Sequence, residues 1–252
     1  VLRAAPLKSQ DGPIWTRGGT YLITGGFGGI GLSVAQDMAR AGAAYIVLLS
    51  RSPLPPRAQW QSYSGTGKTA ARIAAILEIE AQGASVLLIQ ADVTDLAQMQ
   101  AAAAQIADTC GSLTGIIHAA GTIDDAPMLA KDEASIQAVF APKIGGYRVL
   151  DAVFPDGTVE LMVLFSSTST ITCPAGQVDY VAANTYLNAV AQARGAGKTR
   201  VVAINWGVWA DAGMAADAMA LRMGESGEAP RALSAPLLTS TEDTPDGTRF
   251  AL

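Results

Sequence analysis

Tyr180 is the best candidate in this sequence for a residue that gives a proton to a substrate. The chain of 252 residues holds a single histidine, His118, so a Ser-His-Asp or Cys-His mechanism would have to pass through that residue. Ser167 lies 13 residues before Tyr180, at the end of an apolar run, where open α/β sheets bind their ligands. Asn184 follows Tyr180 by four residues, so the two share one helix face. Taken alone, Tyr180 also fits a tyrosine that only packs an amphipathic helix.

A lysine close to Tyr180 would make it a better acid. A phenol with a pKa of about 10 donates its proton poorly at neutral pH, and a nearby ammonium group would lower that pKa. Lys143, on the preceding long helical segment, is the best candidate for this role. The sequence alone does not separate it from Lys131.

The composition excludes several other kinds of site. One histidine cannot form a multi-histidine metal centre, and two isolated cysteines, Cys110 and Cys173, argue against a four-ligand zinc site, so we predict no metal. Two cysteines also cannot build a disulfide framework, which favours a reducing, cytoplasmic setting. With 17 Lys and Arg against 22 Asp and Glu, the chain lacks the basic balance that nucleic acids require. No apolar run approaches the ~18–20 residues of a membrane span, so no membrane partner is predicted.

A glycine-rich segment follows the first apolar run. Residues 20–24 lead directly into the sequence GGFGGIG at residues 25–31, after which a helical segment begins. Glycines permit a tight turn and let backbone N–H groups approach a pyrophosphate, whose charge the helix N-terminus stabilises. Its place in the first strand–helix unit favours a dinucleotide site over a purely structural turn. The predicted contacts are Thr24, Gly25, Gly28, Gly29, Ile30 and Gly31.

The end of the second apolar run indicates which dinucleotide binds. Ser50 and Arg51 stand about where NAD-binding folds place an Asp or Glu on the ribose 2′-hydroxyl, and no carboxylate is present there. Arg51 instead offers a guanidinium to a 2′-phosphate, so we predict NADPH rather than NADH. Alternatively, Arg51 is an ordinary solvated cation.

Asp92 and Val93 follow the third apolar run and complete the predicted nucleotide site. Asp92 could accept a hydrogen bond from the adenine amino group. It could equally cap the helix that begins near Asp95. The sequence leaves both interpretations open.

Six short apolar runs and five helical segments alternate along the chain. The runs are rich in Val, Ile and Leu without polar alternation, which is typical of strands buried on both faces of a parallel sheet. The alternation predicts an α/β fold with a doubly wound parallel sheet of the Rossmann type. We predict strands at 20–24, 45–49, 86–90, 115–118, 161–166 and 201–205. We predict helices at 31–41, 70–82, 96–109, 134–154 and 180–193.

Three stretches do not fit the alternation. Residues 1–17 are predicted to be a lead-in, residues 18–224 the dinucleotide-binding domain, and residues 225–252 a tail or interdomain linker. Residues 52–69 are rich in Pro, Ser and Gly, and we interpret them as an insertion between the second strand and the following helix.

Three motifs together resemble the short-chain dehydrogenase/reductase superfamily: Thr24-Gly25-x-x-x-Gly29-Ile30-Gly31, His118-Ala119-Ala120-Gly121 and Ser167-x12-Tyr180. Most members carry a lysine four residues after the tyrosine. Here Asn184 stands there, and Lys143 lies 24 residues before Ser167. This exchange resembles the ketoreductase domains of modular polyketide synthases. The segments YLITGGFGGIG, LLSRS, HAAG, APKIGG, LFSS, YVAANTYLNA and INWGVW agree with that resemblance.

The resemblance implies a role for each residue of the set. Tyr180 would protonate the substrate carbonyl oxygen, and Ser167 would hydrogen-bond it. Lys143 would lower the pKa of Tyr180 and hold the ribose, while Asn184 would fix the lysine and a proton relay. His118 would be structural. The residues implied to line the cofactor are Ala119, Ala120, Gly121 and, near the nicotinamide, the backbone at Gly207 and Val208.

The resemblance also implies a substrate and its stereochemistry. The substrate would be a β-ketoacyl chain linked as a thioester to an acyl carrier protein. Ketoreductases that set a D-configured hydroxyl typically carry Leu-Asp-Asp just after HAAG, and this chain has Ile123 followed by Asp124 and Asp125. Thr172 stands eight residues before Tyr180, where many of the opposite class carry Trp. With Gln177 these form the predicted stereocontrol set, and a D-hydroxy product is favoured.

Polyketide ketoreductases usually pair this catalytic half with an N-terminal structural half of the same fold. About 17 residues precede the catalytic half here, so that structural half and other synthase domains are expected as partners. Two alternatives are a non-catalytic NADPH-binding scaffold within a synthase and a free-standing reductase of small ketones. The complete set of four polar residues favours an active enzyme over the scaffold.

Overall fold

A six-stranded parallel sheet forms the core of residues 15–207, which the computed structural model describes together with two short strands at 240–244 and 247–251. The strands are β1 (Thr20–Thr24), β2 (Tyr45–Ser50), β3 (Ser85–Gln90), β4 (Gly115–His118), β5 (Leu161–Ser167) and β6 (Arg200–Trp206). The helices are α1 (Gly29–Arg40), α2 (Lys68–Ala81), α3 (Leu96–Cys110), α4 (Glu133–Phe140), α5 (Gly146–Val153), α6 (Ser169–Thr172) and α7 (Val178–Ala193).

The strand order in the sheet is β3-β2-β1-β4-β5-β6, and every neighbouring pair is parallel. The order reverses between β1 and β4, which leaves a crevice at the carboxyl ends of these two strands. This arrangement confirms the predicted doubly wound parallel sheet. Each predicted strand is present, and none of their ends differs from the prediction by more than one residue.

The predicted helix at 134–154 is helical along almost its whole length, but it is not one regular α-helix. Its middle is a π-helical turn, Ala141–Gly145, that separates α4 from α5. Pro142 has no N–H to donate to the carbonyl four residues before it, so a regular α-helix cannot pass through this position unbroken. The N–H of Gly146 donates instead to the carbonyl of Ala141, five residues back, which is the π pattern.

The sheet is packed on both faces, as the apolar character of its strands predicts. Alternate residues of β1 face opposite sides: Leu22 belongs to one buried cluster, and Tyr21 and Ile23 to the other. The cluster around Leu22 includes side chains of α3, α5 and α7. The other includes side chains of α1 and α2. All three β1 residues are nearly inaccessible to solvent.

The segment at 52–69, the predicted insertion, is anchored to the domain. It contains a short 3-10 helix, Arg57–Gln59, and the buried side chain of Trp60, which donates from Nε1 to the carbonyl of Pro55 at 2.7 Å. Arg57 forms an ion pair with Glu80 of α2. The last two residues of the predicted insertion already belong to α2.

Two features lie in the stretches that the sequence pattern assigns to a lead-in and a tail. Trp15 packs its ring edge-on against Tyr21 and donates to Asp37 at 2.9 Å, so the packed structure includes part of the predicted lead-in. Within the predicted tail, β7 (Ser240–Thr244) and β8 (Gly247–Ala251) pair as an antiparallel hairpin that the sequence pattern does not predict. None of the helices in the described ranges is both long and apolar enough to cross a membrane.

Candidate active site

The crevice at the carboxyl ends of the strands is a cleft of about 790 Å³. The predicted site residues that line it are Gly25, Gly28, Gly29, Ile30, Gly31, Ser50, Arg51, Asp92, Val93, Ala119, Ala120, Gly121, Lys143, Ser167, Thr172, Gln177 and Tyr180. Gly207 also lines the cleft, whereas the predicted contact Val208 lies outside the described residues. Residues from separate parts of the chain are therefore brought to one surface. Thr24, Asn184, Asp124 and Asp125 lie outside that lining.

The glycine-rich loop joins β1 to α1 at one end of the cleft. Gly25 has a φ of +65°, and a Cβ on it would lie 2.8 Å from the backbone N and Cα of Ala120. The loop can therefore touch the segment after β4 only because residue 25 has no side chain. The helix begins after Gly28 with no side-chain cap on its first N–H groups. Those donors remain available to an anion.

The two interpretations of Asp92 are now separated. Asp95 is the N-cap of α3, and its carboxylate accepts from the N–H of Gln98 at 3.0 Å. Asp92 therefore does not cap the helix, and that alternative is wrong. Its Oδ1 accepts from the backbone and the hydroxyl of Thr94, which fixes the carboxylate beside Val93 at the cleft wall.

Thr24 and His118 form a buried link beneath the cleft rather than a part of its surface. Thr24 Oγ1 lies 2.8 Å from His118 Nδ1, and His118 Nε2 lies 3.1 Å from the carbonyl oxygen of Lys143. Because a carbonyl only accepts, Nε2 carries the proton and Nδ1 accepts from the threonine. Burial lowers the pKa of His118 to about 4, so the ring is neutral at neutral pH. The hydroxyl of Thr24, a residue predicted to contact the cofactor, is thus used in this buried link.

Lys143 lies in the π-helical turn with its side chain almost fully buried. Its Nζ donates to the carbonyl of Phe165 at 2.8 Å and lies 5.6 Å from the centre of the Tyr180 ring. Burial lowers the pKa of Lys143 to about 8. Lys131, the other candidate, is instead paired with Asp179 at 2.7 Å. The structure thus brings Lys143, and not Lys131, to the face of the tyrosine.

Tyr180 is buried at the start of α7, and its pKa is raised, whereas the sequence predicts that a nearby lysine lowers it. Burial raises the pKa of Tyr180 above its usual value, and the polar side chains of Ser167 and Asn184 lower it only in part. The negative charge of Asp125 adds to the rise in the pKa. The ammonium of Lys143 faces the ring of Tyr180 and the carbonyl of Phe165.

Asn184 is fully buried on the same helix. Its amide nitrogen donates to the carbonyl of Tyr180 at 2.7 Å, and its Oδ1 is buried without a hydrogen-bond partner. Lys143, which Asn184 is expected to fix, donates to the carbonyl of Phe165. A buried acceptor without a partner costs free energy, which makes this oxygen a place where a water or another donor would be stabilised.

Two polar contacts hold the segment after Gly121 against the start of α7. Gln177 donates to Asp125 at 3.0 Å, and Lys131 contacts both Asp124 and the buried carboxylate of Asp179. Asp179 in turn accepts from the N–H of Tyr180 at 2.9 Å. The predicted stereocontrol residues Asp124 and Asp125 are thus fixed by partners, whereas Thr172 is exposed on α6. The ion pair between Lys131 and Asp179 was not predicted, although the acidic residue directly before Tyr180 could have indicated it.

The sequence profile of the KR domain family matches residues 19–211. The chain belongs to this family. A phenolphthiocerol/phthiocerol polyketide synthase of Mycobacterium tuberculosis is 40% identical to this ketoreductase domain over 199 residues, which cover 79% of the chain and 11% of that protein. The 6-methylsalicylic acid synthase of Aspergillus terreus is 38% identical over 204 residues, covering 78% of the chain and 11% of that protein.

Solved ketoreductase structures share the fold. An N-terminal ketoreductase from the macrolactin assembly line is 33% identical with a TM-score of 0.68, covering 81% of this chain and 39% of its own. The ketoreductase from the first module of phoslactomycin biosynthesis in Streptomyces sp. HK803 is 35% identical with a TM-score of 0.66, covering 79% and 44%. An A1-type ketoreductase has a TM-score of 0.69 at 32% identity, covering 86% and 42%. The chain thus spans less than half of each of these solved chains and about a tenth of the synthases.

Proposed function

We propose that this ketoreductase domain uses NADPH to reduce the β-keto group of an acyl chain, held as a thioester on an acyl carrier protein, to a β-hydroxyacyl chain. The observation that carries the proposal is the convergence of Tyr180, Ser167 and Lys143 on the wall of one cleft whose other end is the glycine-rich loop. Membership of the KR domain family supports reduction of a ketone. The naming of the relatives as polyketide synthases supports a substrate carried by a synthase.

The residues at the loop fit a dinucleotide. The close approach of Gly25 to Ala120 shapes a narrow cradle, and the uncapped N-terminus of α1 offers N–H donors to a pyrophosphate. Arg51 at the end of β2 supports NADPH, because a guanidinium there would pair with a 2′-phosphate and no carboxylate occupies the position. Asp92 and Val93 would contact the adenine.

NADPH supplies the hydride when bound, and the side chains of the domain supply the proton. The Tyr180 hydroxyl would donate its proton to the ketone oxygen as charge develops there, and Ser167 would donate a hydrogen bond to the same oxygen. At neutral pH the buried ammonium of Lys143 is charged, since its pKa is about 8, and it would stabilise the phenolate that Tyr180 becomes. The unpartnered Oδ1 of Asn184 would hold a water that returns a proton to the site.

The test is the substitution Tyr180→Phe, with Tyr186→Phe as a matched control on the same helix. Tyr186 packs against Tyr147 and does not line the cleft. With NADPH and a β-keto thioester, we expect turnover of Tyr180→Phe to fall by about 10²–10⁴-fold, a typical contribution of general acid catalysis, while NADPH binding stays intact. Unimpaired turnover in Tyr180→Phe would exclude Tyr180 as the proton donor.

The same assay separates the alternative functions. A scaffold would bind NADPH without oxidising it in the presence of any ketone. A free-standing reductase would turn over a small free ketone as well as a carrier-bound one, whereas we expect the carrier-bound substrate to be preferred. Chiral chromatography of the product tests the D-hydroxy assignment. We also propose that a structural half of the same fold and other synthase domains are partners, and co-purification with such a half tests this.

A further inference from the structure

We propose that Arg72 is a second cation for the 2′-phosphate of NADPH and that it acts together with Arg51 to favour NADPH over NADH. The inference rests on the nucleotide part of the proposed function and not on its chemical step. Arg72 lies on α2, far from the glycine-rich loop in sequence, yet it lines the same cleft. Neither the glycine motif nor the end of β2 pointed to it.

Arg72 is held directly above the glycine-rich loop. Its Nε donates to the carbonyl oxygen of Phe27 at 3.2 Å, and its guanidinium carbon lies 5.7 Å from the centre of the Phe27 ring. Phe27 occupies the middle of the loop and is buried. One hydrogen bond and one cation–π contact thus orient the guanidinium without using its two terminal nitrogens.

Those two nitrogens have no hydrogen-bond or ion-pair partner among the described residues. The nearby carboxylates of α2 are engaged elsewhere: Glu78 accepts from Gln36 at 2.8 Å, and Glu80 pairs with Arg57. A positive charge fixed in position at a cleft wall, without a carboxylate to neutralise it, is the arrangement that binds an anion.

Arg51 lines the same cleft and lies near the loop along the backbone. The loop is tied to the end of β2 by a hydrogen bond of 3.1 Å from the N–H of Gly26 to the carbonyl of Leu49, and Arg51 follows two residues later. In this fold the ribose lies beyond the end of the second strand. The 2′-phosphate would therefore lie between Arg51 on the sheet side and Arg72 on the helix side. NADH offers only a hydroxyl there, so both cations would lack a counter-charge.

Arg72 could instead serve only to brace the loop through its bond to Phe27, and two substitutions separate these roles. Arg72→Gln keeps a donor that can reach a carbonyl but removes the charge. Arg72→Lys keeps the positive charge but loses the planar guanidinium, which can donate two parallel hydrogen bonds to a phosphate. If the charge binds the 2′-phosphate, only nucleotides with that phosphate bind more weakly. If Arg72 merely braces the loop, NADPH and NADH lose affinity equally.

The experiment measures dissociation constants by isothermal titration calorimetry for NADPH, NADH and adenosine 2′,5′-bisphosphate, with Arg40→Gln on α1 as the control. For Arg72→Gln we expect NADPH and the bisphosphate to bind about 10–100-fold more weakly, as for loss of a charged hydrogen bond, with NADH changed less than about twofold. Arg72→Lys should retain most of the NADPH affinity. Circular dichroism melting checks that each variant is folded.

Two results would overturn the proposal: an unchanged NADPH affinity in Arg72→Gln, or an equal loss for NADPH and NADH. The outcome is independent of catalysis. If the unaltered domain binds NADPH in an Arg72-dependent way but reduces no β-keto thioester, the reductase proposal fails and this one stands. If it turns over with NADPH and Arg72→Gln leaves binding unchanged, the reverse holds.

Discussion

Backbone groups form most of one end of the cleft, and polar side chains form the other. The nucleotide end is mainly backbone: Gly25 touches Ala120, and the first N–H groups of α1 have no side-chain cap. The reacting end is a set of buried polar side chains that includes Lys143, Tyr180 and Asn184. A site made of backbone groups buries no charged side chain, but a side chain added at Gly25 would not fit. Buried polar side chains tolerate small changes in shape, but burial opposes their charge.

Substitution of Lys143 should have the largest effect at the reacting end of the cleft. Lys143→Met should lower turnover by about 10²–10⁴-fold, the range expected for loss of acid–base support. The buried charge also affects stability. The folded pKa of about 8 lies below the usual lysine value of 10.5, so the unfolded chain binds more protons between these values. The free energy of unfolding should therefore rise with pH across that window, by at most about 1.4 kcal/mol per pH unit, and the rise should vanish in Lys143→Met.

Chemical denaturation at several pH values measures that effect. Lys198→Met on the exposed surface makes the same change without burial and should leave the pH dependence as it is. A parallel pH profile for the unaltered domain and Lys143→Met would contradict the assignment of a desolvated charge at this end of the cleft.

Gly25→Ala probes the nucleotide end. The new Cβ would require the left-handed φ at about 1–2 kcal/mol and would also overlap the backbone of Ala120. We expect the loop to move away from the pyrophosphate site and NADPH affinity to fall by about 100-fold, which corresponds to about 2.8 kcal/mol. Gly111→Ala is the matched control, because Gly111 has a φ of +78° with nothing within 4 Å of the added carbon. The control should lose stability but not affinity; an equal loss of affinity in both would remove the role of close backbone approach.

Lys131→Met is expected to have the smallest effect of the three and to act only at the reacting end. It leaves the carboxylate of Asp179, whose side chain is 2% exposed, without its cation. We expect the midpoint of thermal unfolding to fall, because a buried carboxylate is left without its cation, and NADPH affinity to stay unchanged. The double variant Lys131→Met with Asp179→Asn should recover part of the loss. Thermal melts and titrations measure both, and a matching loss of NADPH affinity would show that the two ends are not separate.

Local patterns made much of this molecule predictable. The strand at 20–24, its glycines and the helix after them are encoded by neighbouring residues, so their identity follows from periodicity and turn chemistry. The strands at 45–49 and 115–118 were equally predictable, because a parallel sheet buries both of their faces. That Ser167 and Tyr180 line one cleft was predictable, because the two lie only 13 residues apart at the end of a strand and the start of a helix.

Contacts between residues that lie far apart in the sequence could not be predicted in the same way. Thr24 is part of the motif that predicts cofactor contact, but its hydroxyl is used by His118, 94 residues away. The direction in which the helix presents Lys143 depends on a π turn, and the spacing of apolar residues does not indicate such a turn. Arg72 meets the glycine-rich loop only through the packing of α2. In each case the deciding partner lies on another element, so the relevant interaction is set by tertiary packing rather than by local sequence.

The π turn at Ala141–Gly145 makes this region sensitive to length. Its extra residue sets the rotation at which α5 begins, and that rotation brings Gly146 so close to β4 that a Cβ there would lie 2.9 Å from both His118 and Val93. Removing one residue from the turn would rotate α5 by about 100° relative to α4. A residue with a side chain would then face the strand. A single-codon deletion in this stretch should therefore harm the domain more than most point substitutions do.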